Sequence, residues 1–138
     1  MKQAGLIFLC FLLYLSSSEL AYGQSGKYQV LGIGTNVNST FDEQAPILSP
    51  DGKMLYFTMA KHPSNMGSTK DPGDIWISKK DSAGAWTTPI NPGQPLNNKQ
   101  YNAIIGFSNK GNSVYLAGHY LPGNKRAKSR GISVSHYN

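Results

Sequence analysis

The residues best suited to metal binding or nucleophilic catalysis are few and scattered along this sequence. His62, His119 and His136 lie far apart, and none has a second ligand-type residue at the short spacing of a metal site. The single cysteine, Cys10, lies inside an apolar run. No Gly-x-Ser-x-Gly pattern marks a nucleophilic serine. We therefore predict no metal site, no bound cofactor and no nucleophile.

Paired carboxylates are the remaining catalytic option, and glycosidase chemistry needs two of them roughly 5–10 Å apart. Asp42 and Glu43 are adjacent, so on an extended strand their side chains point to opposite faces. Glu43 and Asp74 could meet in the fold, but structural roles that hold loop amides are the favoured interpretation. We predict no catalytic residues and a chain that is not an enzyme.

Aromatic and basic residues are the candidates for binding. The aromatic side chains could form a sugar-stacking platform, but at strand positions packing is the favoured interpretation; they are Tyr56, Phe57, Trp76, Trp86 and Tyr115. The chain has 13 Lys plus Arg against 7 Asp plus Glu, a net charge of +6. A basic run could bind phosphates, acidic polysaccharide or a membrane surface, or could be a solvated loop. This candidate partner-binding site comprises Lys125, Arg126, Lys128 and Arg130.

The first 23 residues have the pattern of a secretory signal peptide. Lys2 precedes an apolar run over residues 6–15, and Ala-Tyr-Gly at 21–23 supplies the small residues of a cleavage site. The run is too short for a bilayer, which needs about 20 residues. We predict cleavage after Gly23, which leaves an exported mature chain without cysteine or transmembrane segment; an uncleaved anchor is the alternative. Export makes nucleic acid a poor partner.

Composition and internal similarity predict an all-β fold. The sequence contains 15 Gly, 8 Pro and 8 Tyr, and its charged fraction is only 14%, which is typical of short strands joined by tight turns. Two stretches align at an offset of 59, with residues 31–38 over 90–97 and 49–57 over 108–116. We predict repeat units at about 28–86 and 87–138.

Each unit is predicted to hold four strands, which in the first unit cover residues 45–49, 54–59, 74–79 and 86–90. The Pro50-Asp51-Gly52-Lys53 stretch is a hairpin turn, and residues 61–73 are a surface loop. The second unit ends on a strand near 132–137 and lacks its own outer strand. Residues 27–31 align with 86–90, so an outer strand is predicted at the N-terminus.

Residues 42–57, which include Ser-Pro-Asp-Gly-Lys at 49–53, resemble the PD-type, TolB-like β-propeller repeat. Asp-Ile-Trp-Ile-Ser at 74–78 and Pro-Ile-Asn-Pro-Gly at 89–93 are similar to its continuation in exported bacterial proteins. The second unit departs from the pattern, with Asn109 and Lys110 in place of Pro and Asp, and Tyr101 and Asn102 in place of the acidic pair. The resemblance implies two four-stranded antiparallel blades of an incomplete β-propeller over residues 24–138.

The resemblance also implies a function without catalysis. A periplasmic, outer-membrane-associated or secreted scaffold that binds a protein or glycan partner in the bacterial cell envelope is the first expectation. An accessory propeller domain of a larger exported peptidase or glycosidase is the alternative, and a glycoside hydrolase or lyase with acids near the propeller axis is a third. Because two blades cannot close a ring, further blades in the same chain or self-association are expected.

Export can be tested directly. Expressed with its leader in a Gram-negative host, the chain should be recovered from the periplasm with Gln24 as its first residue, because signal peptidase reads the small residues at 21–23. N-terminal sequencing of the periplasmic fraction measures this. A chain that keeps Met1 and stays in the membrane fraction would contradict the prediction.

Overall fold

The computed structural model describes residues 28–124 and 129–136, so the predicted leader at 1–23 lies outside the described residues. Regular structure there consists of six strands and two single 3-10 turns, Ser68–Lys70 and Pro122–Asn124. The predicted all-β class is therefore confirmed. The strands are β1 (Asp42–Leu48), β2 (Met54–Ala60), β3 (Asp74–Lys79), β4 (Ala103–Phe107), β5 (Ser113–Ala117) and β6 (Ile132–His136). All of them belong to one compact unit, Gly32–Asn138, which is described here by itself.

The strands form two open antiparallel sheets, in the orders β1-β2-β3 and β4-β5-β6. In the first sheet Phe57 lies opposite Trp76, and in the second Leu116 lies opposite Ser133. A β-bulge interrupts β1 between Gln44 and Ile47, where Pro46 removes a backbone donor from the ladder. The pairing continues on both sides of the bulge, so β1 covers Asp42–Leu48, whereas the sequence predicted a strand at 45–49.

The predicted fourth strand, residues 86–90, is reduced to two isolated bridges in the structure. Ile90 pairs with Ile77, and Trp86 pairs with Lys80. Pro89 lies between the two bridges and has no N–H to donate, which prevents a continuous ladder. The predicted N-terminal strand is also absent from residues 28–31, where Tyr28 is 97% exposed; Lys27 lies outside the described residues.

The two sheets share the same turn between their first two strands. In the first, Gly52 N donates to Ser49 O at 2.8 Å, and Met54 N donates to the Ser49 hydroxyl at 2.9 Å. In the second, Gly111 N donates to Ser108 O at 2.8 Å, and Ser113 N donates to the Ser108 hydroxyl at 3.2 Å. Both glycines have positive φ, 69° and 71°. The corresponding residues are 59 positions apart.

The sheets pack through opposite faces. One cluster joins the β1–β3 face that carries Ile47, Tyr56 and Ile75 to the β4–β5 face that carries Ile104 and Leu116. Because side chains alternate along a strand, the β4–β6 face opposite to this contact carries Tyr115, Ile132 and Val134. We call this second surface the outer face. By register, it corresponds to the β1–β3 face that packs against the second sheet.

The other face of the first sheet is covered by the segments around it. Leu55, Phe57, Met59 and Trp76 form a buried cluster with Val37, against which Phe41 and Trp86 also pack. His62 lies between Phe41 and Trp76, with ring centroids 4.5 and 4.4 Å away. The far face of the first sheet is therefore covered by other segments of the chain. The outer face of the second sheet remains exposed.

Two isoleucines at corresponding positions test this arrangement. Ile75 is 0% exposed and Ile132 is 72% exposed. Ile75→Ala should lower the free energy of unfolding by about 2–5 kcal/mol, because it leaves a cavity between the sheets. Ile132→Ala, the matched control, should change it by less than about 1 kcal/mol. Urea unfolding of both variants measures the difference; equal losses would contradict the assigned faces.

Candidate functional site

A cleft of about 1260 Å³ opens at the end of the sheets where β2 leads into β3 and β5 leads into β6. The segment that joins β3 to β4 forms its third wall. This end lies opposite the Ser49 and Ser108 turns, because the strands run antiparallel. The lining includes Met66, Lys70, Pro95, Lys99, Gln100, Tyr101, His119, Tyr120, Leu121 and Arg130.

The cleft is basic. Lys70, Lys99 and Arg130 come from three different connecting segments, and all three are exposed. No aspartate or glutamate is among the lining residues that the structure describes. Clustered charge of one sign in a concave surface raises the local concentration of oppositely charged ligands. The cleft therefore favours anionic ligands.

Tyr120 forms a rigid part of the cleft wall. Its hydroxyl donates to Leu96 O at 2.6 Å and accepts from Asn102 Nδ2 at 3.0 Å. Burial, followed by the charge of Asp74, raises the pKa of Tyr120 to about 12, against the lowering effect of the Asn102 hydrogen bond. The phenol is therefore neutral and remains a hydrogen-bond donor at physiological pH.

Asn102 also fixes the loop that carries Lys99 and Tyr101. Its backbone carbonyl accepts from the Thr58 hydroxyl at 2.7 Å, and its Oδ1 accepts from Asn98 N at 2.9 Å. Tyr101 lies against Gly73, where an added Cβ would come within 3.4 Å of the tyrosine ring and 2.4 Å of Thr58. These contacts position the loop from its buried side.

His119 depends on a glycine for its position. An added Cβ at Gly131 would lie 1.7 Å from His119 Cδ2, so the imidazole rests directly on the backbone of residue 131. Gly118 N donates to Gly131 O at 2.7 Å, which joins the two ends of the β5–β6 connection. The ring is thus held at the cleft surface by close backbone approach.

A buried network of amides and acids supports the cleft from below. Asn97 accepts from Ile75 N at 2.8 Å and donates to Ile75 O at 2.9 Å, which satisfies both backbone groups of that residue. It also donates to Asn91 Oδ1 at 2.7 Å, and Asn91 Nδ2 donates to Asp74 Oδ2 at 2.8 Å. Asp74 Oδ2 accepts a further bond from Met66 N at 2.7 Å.

Asp74 is the one described side chain with a buried oxygen that lacks a partner, its Oδ1. The residue is 0% exposed. Burial and then the charge of Asp71 raise the pKa of Asp74, against the lowering effect of its bonds to Asn91 and Met66. Its enclosure gives a substrate no access, so its geometry fits a structural role.

The structure distributes the predicted binding residues unevenly. Arg130 lines the cleft, whereas Lys125, Arg126 and Lys128 lie outside the described residues. The aromatic side chains do not form one platform. Phe57, Trp76 and Trp86 belong to the cluster under the first sheet, Tyr56 packs between the sheets, and Tyr115 lies on the outer face.

The histidines and acids occupy separate environments. His62 packs between aromatic rings, and His136 Nδ1 lies 2.9 Å from the Ser113 hydroxyl. Glu43 accepts bonds from the backbone and hydroxyl of Ser39. It shares a row of the first sheet with Asp74, but Met59 lies between them. Among the described residues, no three His, Cys, Asp or Glu side chains are grouped so that they could hold a metal.

Sequence reasoning missed most of this site. Lys70 and Lys99 are isolated in sequence and form a patch only through tertiary contacts. The roles of Asn97 and Asn102 also depend on partners far away along the chain. A weak signal existed, because Asn97 aligns with Asn38 at the offset of 59, and Asn102 stands where the first unit has an acid.

Comparisons with known proteins add no identification. No family model, curated protein or solved structure matches the chain. Within the part of the chain that the structure describes, no helix has the length and apolar character required to cross a membrane.

The raised pKa of Asp74 predicts how stability responds to pH. As pH rises above about 4, the unfolded chain releases this proton before the folded chain does, so ionisation of Asp74 lowers stability. Asp74→Asn keeps a neutral side chain at all pH values. Relative to the wild type, it should therefore gain stability between about pH 4 and pH 7. Urea unfolding at both values measures this; an advantage that shrinks with rising pH would contradict it.

Proposed function

We propose that this chain is a non-catalytic β-propeller scaffold, exported to the bacterial cell envelope, that binds a protein or glycan partner there. Each sheet would be most of one blade. The proposal joins two parts, a scaffold that continues by stacking sheets and a binding surface formed by the connecting segments at one end.

The observation that carries the proposal is the head-to-tail contact between the sheets. The β1–β3 face with Tyr56 and Ile75 receives the β4–β5 face with Ile104 and Leu116. Head-to-tail contacts leave an equivalent unused surface at the end of a stack, whereas a two-sheet sandwich closes on itself. The outer face is that unused surface: Tyr115 is 44%, Val134 50% and Ile132 72% exposed.

Two further features support blades of four strands. The hydrogen bonds of the Ser49 turn are repeated at the Ser108 turn, as expected of one structural unit used twice. Outside β3, Ile77 and Ile90 exchange two backbone hydrogen bonds of 2.9 Å, in the position of an outer strand. β6 is the corresponding edge of the second sheet.

The connecting segments provide the binding surface of this scaffold. In stacked sheets the strands contact one another, while loops at the ends vary and carry recognition. The cleft gathers three such segments above a fixed polar network, and its described lining offers cations, amides and aromatic rings rather than a pair of carboxylates. This lining suits binding of a partner without a chemical step.

Self-association tests the stacking part of the proposal. The purified mature chain, residues 24–138, should associate with increasing concentration, because the outer face exposes apolar side chains next to an open strand edge. Ile132→Ser with Val134→Thr should reduce this association. Ile90→Ser removes an apolar side chain that is 58% exposed away from the outer face, and it serves as the control.

Sedimentation velocity over a range of concentrations measures the effect. A wild-type chain that remains monomeric and folded at all concentrations would contradict the incomplete stack. So would equal behaviour of the double variant and the Ile90→Ser control.

A further inference from the structure

We propose that the cleft binds an acidic polysaccharide, with Lys70, Lys99 and Arg130 pairing with its carboxylates and Tyr101 and His119 contacting its sugar rings. This inference deepens the proposed function, on which it rests, by naming the class of partner. It concerns the loop end of the sheets and not the outer face, so the two surfaces can be tested separately.

Positive and negative charges are separated around the cleft. The acids of the β2–β3 connection and the start of β3 are turned inward, where Asp71 is 1% and Asp74 0% exposed. Asp71 accepts bonds from Gly67 N at 2.7 Å and Gly73 N at 2.9 Å. Both Asp71 oxygens accept from backbone amides and Asp74 is fully enclosed, so neither carboxylate pairs with Lys70 at the surface.

The lining of the cleft contains groups that can contact sugars as well as groups that carry charge. Gln94 and Gln100 offer amide groups that can donate to and accept from hydroxyls. Tyr101 and His119 offer flat rings, and each lies against a glycine, Gly73 or Gly131. Flat rings beside amides and cations match a chain of sugar rings that carries carboxylates.

The size and shape of the cleft also favour an extended ligand. The cleft volume of about 1260 Å³ exceeds the usual 300–1,000 Å³ of small-molecule pockets. A single phosphate or carboxylate would leave most of it empty, and a planar membrane surface would not enter a concave site. A segment of several sugar residues fits both the volume and the spread of the three cations over separate segments.

The experiment measures binding of the full chain to oligogalacturonate, with neutral dextran oligomers as the comparison, by isothermal titration calorimetry at low and moderate salt. One variant carries Lys70→Gln, Lys99→Gln and Arg130→Gln. The matched control carries Lys53→Gln, Lys79→Gln and Lys110→Gln. All six residues are exposed, and the control set lies at the opposite end of the sheets. Both variants lose the same charge, and exposed substitutions of this kind preserve folding.

We expect oligogalacturonate to bind the wild type, the cleft variant to bind at least about tenfold more weakly, and the control to stay within about twofold of wild type. Gly131→Ala should also weaken binding while all charges remain, because it displaces His119. Equal losses in both triple variants would overturn the site in favour of unspecific attraction to a net charge of +6.

Other outcomes also overturn it. Equal binding of dextran would remove the role of the cations. Binding of anionic lipid vesicles or inorganic phosphate without binding of oligogalacturonate would assign the cations to phosphate. Failure of the cleft to bind would not change the self-association of the chain. A monomeric chain that still binds oligogalacturonate through the cleft would contradict the stacked scaffold but keep the binding site.

Discussion

Burial of Ile75 between the two sheets is the constraint on which the rest of the structure depends. Its side chain joins Ile104 and Leu116 across the interface, and both of its backbone groups are bonded by the side chain of Asn97. A buried backbone donor or acceptor left without a partner costs about 1–3 kcal/mol. At this position the interface therefore needs apolar packing of the Ile75 side chain and a side-chain amide that bonds the Ile75 backbone.

This double requirement connects the core to the cleft. Asn97 lies in the segment that links the two sheets, and the same segment continues through Asn98 to Asn102 and the cleft wall. Tyr120 contributes on both sides, because its ring packs at the sheet interface while its hydroxyl bonds to Leu96 and Asn102. A change in how the sheets pack would therefore displace the residues that shape the cleft.

Features that depend on neighbouring residues could be predicted from the sequence, whereas features that depend on tertiary contacts could not. The bounds of β3 were predicted correctly, and β2 differs only by Ala60, because continuous apolar runs and a Pro-Asp-Gly-Lys turn act locally. The predicted outer strand at residues 86–90 forms only two isolated bridges, because Pro89 interrupts the ladder. The structural roles of Asn97 and Asn102 were not predicted, because an asparagine that bonds a distant part of the chain has no local sequence pattern that separates it from other loop asparagines. Of the predicted basic run, Arg130 reached the cleft, but its companions Lys70 and Lys99 come from other segments.

The distribution of charge is the feature on which the proposed binding function depends. Around the cleft the acids are directed inward, where Asp71 and Asp74 hold backbone amides in place, and the cations are directed outward. An acid used in this way stabilises a loop, whereas a general acid or base must lie within hydrogen-bond reach of the substrate. The exposed cations remain in water, where each contributes little alone and several act together through their summed field. In the proposed function, the buried acids and amides therefore belong to the interior, and the exposed cations form the surface that would recognise an extended anionic ligand.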